Sequence, residues 1–425
     1  MRVVHIAEKI APFWPDSAGA RTSAELPVAQ QGVEDELIVV GAAPVTAVKD
    51  FNSTQQFARR LEPLMVPDGA GTYEVVVLES TLMGTGIRLF LLVIPPGRGV
   101  DGFAAAALAL LGTLPDAPEL LHLHGDTGLD ADAMRVQLDG PAVVQSVYLP
   151  SGSAALATSL KYADEVITPC GDLGGDSESG SPVARALEDH PLLRVVRHGI
   201  DLRHWDPSAD RALATGYDTQ SPAGKAECKK ALQVQAGLAP RGDVPIIAVW
   251  SDGGADSGLG LVAEHLEEIL ALDVQLVVLR PASGGVDDAL AALSGEQIWQ
   301  VDAGVGASLR RVLAGCDVVL LPDRTATLGR RSMIAARYGL VPVARWVNAH
   351  RDRLVEYDSK SNTGGSFLFD DPEDVELLVA LGRMRRIYGD SEVWAGMVRA
   401  NGAVDMSWSR TAAQLHEIYQ KALAK

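Results

Sequence analysis

The sequence predicts an α/β protein built on two parallel sheets, and three observations carry that prediction. Short β-branched runs recur, each followed by a Gly-rich turn and an alanine-rich helical stretch. That alternation covers both faces of a parallel sheet with helices. The series pauses in two stretches rich in Gly, Ser, Pro and Asp, Pro169–Pro182 and Asp206–Lys225, which read as loops. It then restarts at Pro245–Trp250. The 425 residues exceed one ordinary core, so the pause separates two halves of similar kind, each Rossmann-like.

In the first half the strand-like runs are Val3–Ala7, Glu36–Val40, Tyr73–Glu79, Leu89–Ile94, Leu120–His124, Pro141–Val147 and Glu165–Thr168. Phe103–Leu111, almost all Ala and Leu, and Leu129–Leu138 read as helices between them. Tyr73 to Ile94, turning at Met83-Gly84-Thr85-Gly86, reads as an antiparallel insertion. A helix over Lys225–Ala236 approaches the boundary. The second half has strands Pro245–Trp250, Val274–Leu279, Gln297–Val301, Val318–Leu321 and Val341–Ala344. Its helices are Leu261–Leu270, Ala307–Ala314, Arg331–Tyr338, Asp374–Tyr388 and Glu392–Asn401, and Ser409–Ala424 follows them. The domains expected are 1–228, 229–408 and a helix over 409–425 that returns to the first. The default ligand site of such a pair is the cleft between them, at the carboxyl ends of the strands.

Thirty-seven basic against 55 acidic residues give a net charge of −18. That is the wrong sign for a main business with duplex nucleic acid or an anionic membrane. Cys170, Cys228 and Cys316 are far apart and form no C-x-x-C pair, which fits a reducing cytoplasm. Met1–Ala7 is too short an apolar run for a secretory leader, and Glu8 interrupts it. No other apolar stretch reaches the roughly 20 residues that span a bilayer. His122 and His124 share a strand face, but no third ligand stands at telling spacing, so no metal is expected. A serine hydrolase would need a G-x-S-x-G elbow, and a dehydrogenase a G-x-G-x-x-G turn after the first strand. Neither is present.

The opening VVHIAEKIAPF and the later AELPVAQQGVEDELIVV resemble the start of the bacterial glycogen and starch synthases. The likeness runs on in order through LHLHGDTG, SLKYADEVITP, RHGIDLRHWDPSAD, GKAECKKALQVQAGL, LAGCDVVLLPDR, AARYGLVPVARW, FLFDDPED and MSWSRTAAQLHEIYQKAL. The resemblance implies the GT-B fold, two Rossmann-like domains facing across a deep cleft with a C-terminal helix crossing back. It implies a bacterial glucosyltransferase ancestry with no cofactor.

The departures from that family fall where its chemistry lies. Its Lys-x-Gly-Gly-Leu loop is Pro15-Asp16-Ser17-Ala18-Gly19, with the lysine replaced by Pro15; Gly19 restores some freedom and Arg21 is a stand-in cation. Its His-Ala-His-Asp is His122-Leu123-His124-Gly125, with Asp126 one place late. Its sugar-contacting histidine is Tyr148, which hydrogen-bonds but does not titrate near neutrality. The arginine and lysine that clamp the leaving diphosphate fall at Asp252 and near Ser257, in a loop that starts at Ser251. At 4 Å and an effective dielectric of 20, one like-charge contact there costs about 4 kcal/mol. The donor-holding glutamate is Ala326. Arg324, Gly329, Arg330, Arg331 and Arg345 remain as candidates for an anion. His198 stands where the family has asparagine, and Asn348-Ala349 where it has Gly-Gly.

These residues point to a pseudoenzyme, a glycogen-synthase-like binding or regulatory protein of glycogen or polysaccharide metabolism. Its expected partners are a glucan or nucleotide sugar and a protein of that metabolism, with no nucleic acid or membrane. The alternative is an active retaining glycosyltransferase with an altered donor or acceptor, using Arg324, Arg330, Arg331 or Arg345 for phosphate. Function belongs to the site rather than the fold.

Overall fold

The computed structural model describes residues 1–11, 13, 18–34, 36–43, 57–59, 62–69, 71–125, 127, 129, 134, 136–138, 140–148, 160, 162–169, 187, 190–251, 257–280, 291, 293, 295–302, 306–326, 328–370 and 375–425. They form two compact units: Met1–Gly199 with Ser407–Lys425, and Ile200–Met406.

The first unit carries β1 (Arg2–Ala7), α1 (Ala18–Gln30), β2 (Glu36–Ala43), β3 (Ala58–Arg59), β4 (Leu64–Asp68), β5 (Gly71–Thr81) and β6 (Arg88–Val93). It continues with α2 (Gly99–Leu111), β7 (Leu120–His124), β8 (Ala142–Ser146), β9 (Glu165–Thr168) and β10 (Leu193–Val195). The sheet order is β10-β9-β8-β7-β1-β2-β6-β5-β3, with β4 on β5. Pairing is parallel from β10 to β6. It turns antiparallel at β5, so the insertion expected at Tyr73 to Ile94 is present. Its turn is a 3₁₀ segment, Leu82–Gly84, closed by Thr85 Oγ1 donating to the Leu82 carbonyl at 2.6 Å.

Both faces of this sheet are covered, which is why its strands read as nearly continuous apolar runs. Successive residues of β1 serve opposite cores. Val4 and Ile6 pack with Ile38, Phe90, Leu121 and the α2 residues Phe103, Ala107 and Leu110. Val3 and Ala7 pack with Val39, Leu89, Leu120, Trp408 and Tyr419. His5, His122 and His124 have the parity of this second face.

The second unit holds α3 (Ala223–Ala236), β11 (Ile246–Trp250), α4 (Leu259–Glu264), α5 (Leu266–Ala271), β12 (Gln275–Arg280) and β13 (Ile298–Asp302). Then come α6 (Ala307–Gly315), β14 (Val318–Leu321), α7 (Arg330–Arg337), β15 (Val341–Arg345), α8 (Asn348–Arg353), β16 (Phe367–Phe369), α9 (Val375–Tyr388) and α10 (Ser391–Gly402). The sheet is parallel, in order β13-β12-β11-β14-β15-β16. The single helix expected over Leu261–Leu270 is two, α4 and α5, divided at His265, whose φ of −102° and ψ of 22° leave the helical region. Buried Lys229 and Asp317 pair at 2.8 Å. Lys229 also donates to the Val244 carbonyl at 2.6 Å, and Asp317 accepts the Ile246 amide at 2.9 Å. With its remaining polar atoms thus met, such a pair is tolerated in a core.

The segment 200–228, which the sequence reading placed with the first domain, lies in the second unit. Ile200, Trp205, Tyr217 and Cys228 pack there against Leu232, Ala248 and Tyr338. The helix α11 (Trp408–Leu423) belongs to the first unit. Trp408, Leu415, Ile418 and Tyr419 enter its core, and Trp408 Nε1 donates to buried Glu25 at 2.9 Å. The helix expected at Leu129–Leu138 and the loop at Pro169–Pro182 lie largely outside the described residues, as does Cys170. Cys228 and Cys316 are free and buried, and burial pushes the Cys316 thiol up. Among the described residues, no helix is long and apolar enough to cross a membrane.

Candidate functional site

Each sheet has one place where the strand order reverses next to its first strand. In the first unit it lies between β1 and β7, in the second between β11 and β14. Connections leave such a point in opposite directions, opening a crevice at the carboxyl ends where parallel sheets take ligands.

At the first reversal the register places His5 of β1 opposite His122 of β7. With His124 they make a buried imidazole group, 0%, 0% and 5% exposed. His5 Nδ1 and His124 Nε2 are 2.8 Å apart. His124 Nδ1 meets the Tyr148 hydroxyl at 2.5 Å. His122 meets the Tyr419 hydroxyl of α11 at 2.6 Å and the Ser146 hydroxyl of β8 at 2.7 Å. The His198 ring stands edge-on to Tyr148, 5.5 Å between centroids, and 5.4 Å from the Trp408 ring. Burial holds His5 down to about 3, and burial with mutual repulsion holds His122 and His124 well below the ordinary imidazole value. All three are neutral at pH 7. Burial also pushes the Tyr148 phenol up, so it stays a neutral hydroxyl.

The sequence reading found two histidines and no third ligand. The fold supplies His5, and the three ligand atoms lie within 4.8 Å of one another. Both ring nitrogens of His122 and of His124 face protein partners, however. The arrangement is a hydrogen-bonded network between β1, β7, β8 and α11. It can orient Tyr148 and present a hydroxyl; it offers no charged acid or base at neutral pH. The missed members, His5, Ser146 and Tyr419, are 117, 24 and 297 residues from His122. Only His5 gave a signal, as the one polar residue inside an apolar strand.

Of the other first-unit candidates, Gly19 is the second residue of α1 and Arg21 lies in its first turn. Gly125 follows β7, with its amide on the Ser146 carbonyl at 2.9 Å. Pro15 and Asp126 lie outside the described residues.

At the second reversal Ser251 follows β11 and is buried. Its hydroxyl donates to Asp323 Oδ1 at 2.8 Å, and Asp323 Oδ2 receives Arg331 Nη1 at 2.8 Å. Arg331 also donates to the Trp250 carbonyl at 2.8 Å. Arg331, a candidate for an anion in the sequence, is largely buried and ion-paired, because Asp323 just after β14 faces it. Arg345 is buried, donating from Nε to the Pro322 carbonyl at 3.2 Å. Ala326 is buried, its amide on Asn348 Oδ1 at 2.8 Å, and Asn348 takes the left-handed φ of 42° that asparagine tolerates. Gly329 precedes α7, whose first residue, Arg330, is half-buried, and Arg324 is exposed. Gly258 holds φ at 63°, and a Cβ there would stand 2.2 Å from the Pro322 carbonyl oxygen. Only glycine lets the turn before α4 reach β14 so closely. Asp252 lies outside the described residues.

No family model matches the chain. The glycogen synthase of Anaeromyxobacter sp. (strain Fw109-5) is 35% identical over 274 residues, 64% of this chain and 56% of the relative. That of Geotalea daltonii is 32% identical over 271 residues, 63% and 54%. The chain is similar to the glycogen and starch synthases. The aligned part spans about half the length of these curated relatives. Among solved structures, the catalytic domain of starch synthase IV from Arabidopsis thaliana, bound to ADP and acarbose, superposes with a TM-score of 0.87 at 18% identity, covering 100% of this chain and 99% of that one. The Anabaena protein Alr3699/HepE in complex with UDP and glucose superposes at 0.61 and 13% identity, covering 98% of both. These likenesses establish the GT-B fold.

Proposed function

We propose that this glycogen-synthase relative is a catalytically degenerate protein of the bacterial cytoplasm that acts by binding or regulation in glycogen or polysaccharide metabolism. The observation that carries this reading is Ala326. It stands where the glycogen synthases are expected to hold the donor glucose with glutamate, and a methyl group accepts and donates no hydrogen bond. Tyr148, neutral and held by His124, adds weight at the expected place of a titratable histidine. Retaining transfer needs a rigid donor and a neutralised leaving group, and each lost preorganised contact costs roughly 100- to 1,000-fold. Such losses within one unit do not multiply fully, yet two independent ones bring the rate near background.

The ligand that fits this reading is a glucan, or a nucleotide sugar bound in the millimolar range, with a protein of the same metabolism as its partner. The relative from Arabidopsis is described with ADP and acarbose, a nucleotide and an oligosaccharide mimic, which supports both ligand classes as trials. The test is glucan elongation from ADP-glucose or UDP-glucose on maltodextrin. The native chain is expected to give none. Restoring the family pattern with Asp252→Arg, Ser257→Lys, Ala326→Glu and Tyr148→His together is expected to raise the rate above background. Elongation by the native chain would overturn the reading in favour of an active transferase with an altered donor or acceptor, and Arg324, Arg330, Arg331 and Arg345 would be the first residues to mutate.

A further inference from the structure

The reversal point of the second sheet is bridged by an ion pair. Asp323, 4% exposed, follows β14, and Arg331 is the second residue of α7. One guanidinium nitrogen donates to the Asp323 carboxylate and to the Trp250 carbonyl, each at 2.8 Å. The other carboxylate oxygen accepts the Ser251 hydroxyl at 2.8 Å. The four groups tie the carboxyl ends of β11 and β14 to the start of α7, within the crevice where such a sheet takes its ligand. An arginine in this position is suited to phosphate, but here its Nη1 is turned to a protein carboxylate and the Trp250 carbonyl.

We propose that Asp323 is a built-in counter-anion: its carboxylate takes the place on Arg331 that a phosphoryl group would need, and it is the residue that sets this crevice against nucleoside diphosphates. The proposal rests on the degenerate-transferase reading and names the side chain that enforces it. A carboxylate this close to Arg331 both neutralises the cation and repels an incoming anion. Removing its charge without changing its shape leaves Arg331 with charge to spare for a ligand.

The test is calorimetric titration of the whole chain with ADP at low ionic strength. Asp323→Asn is expected to bind ADP about tenfold tighter or better than the native chain. Asp323→Asn with Arg331→Gln is expected to lose that gain. Circular dichroism melting establishes that each variant is folded; should Asp323→Asn not fold, Asp323→Ser carries the same expectation. The proposal is overturned if the folded Asp323 variant binds no tighter, or if the gain survives loss of Arg331. The two ideas fail separately. Glucan elongation by the native chain counts against degeneracy, whereas a silent native chain whose Asp323 variants gain no affinity counts against the counter-anion alone.

Discussion

Protonating His5, His122 or His124 would put a charge where water does not reach. Their folded-state values lie below the ordinary 6.5, so between pH 6.5 and 5 the unfolded chain takes up protons that the folded chain refuses. The free energy of unfolding therefore falls as pH falls through this window, by up to about 1.4 kcal/mol per pH unit for each histidine. The stabilisation is complete above pH 6.5. Urea midpoints at pH 7.5, 6.5 and 5.5 measure it, and His5→Gln is expected to flatten the slope by up to one histidine's share. An unchanged slope would mean that the ring is not held neutral. The pair His122 and His124 was legible in the sequence as alternate residues of one strand. His5 was not legible as their neighbour, because β1 and β7 meet only through the sheet order. Asp323 escaped notice for the same reason: its meaning lies in Ser251 and Arg331, which stand 72 and 8 residues away.

At the scale of elements, period and turn chemistry located nearly every expected strand among the described residues. What they did not reveal was α1, whose internal Pro27 interrupts the helical signal, and the shortest strands: β3, β10 and β16 have three residues or fewer, too few for a period to register. The division of α4 from α5 was hidden because Leu261 to Leu270 keeps a helical pattern across His265. Close approach was equally silent in the letters. Gly258 and Gly237 both hold left-handed φ values, 63° and 68°. Only at Gly258 would a Cβ strike backbone; at Gly237 it meets nothing within 4 Å. Gly237→Ala is therefore expected to cost about 1–2 kcal/mol from conformational strain alone. Gly258→Ala should cost about 1 kcal/mol or more beyond that, since the Pro322 carbonyl has to move. Equal urea-denaturation losses for the two would contradict the close approach of this turn to β14.

The whole molecule joins two sheets through a chain that leaves the first unit at Gly199 and re-enters it at Ser407. The collinear motifs made the pair of halves and the return of α11 legible. The point of exit was not, because the prolines and aspartates of 206–225 look like linker while Trp205 and Tyr217 are core. A chain ending at Met406 loses Trp408, Leu415, Ile418 and Tyr419 from the first core, together with the partners of Glu25 and His122. Leu or larger deletions from cores cost about 2–5 kcal/mol each, so several exceed the stability of an ordinary domain. Hydrogen exchange is expected to lose protection throughout β1, β2, β7 and β8 in the shortened chain while β11, β12 and β14 keep theirs. Protection retained in β1 would refute it. The same discontinuity sets an order of events on the ribosome. The codons for α11 follow those for Ile200–Met406, 207 residues, which at about 5–20 residues per second take roughly 10–40 s to translate. Throughout that interval the nascent first unit carries an uncovered apolar face, a binding surface for chaperones that closes only when α11 emerges from the exit tunnel.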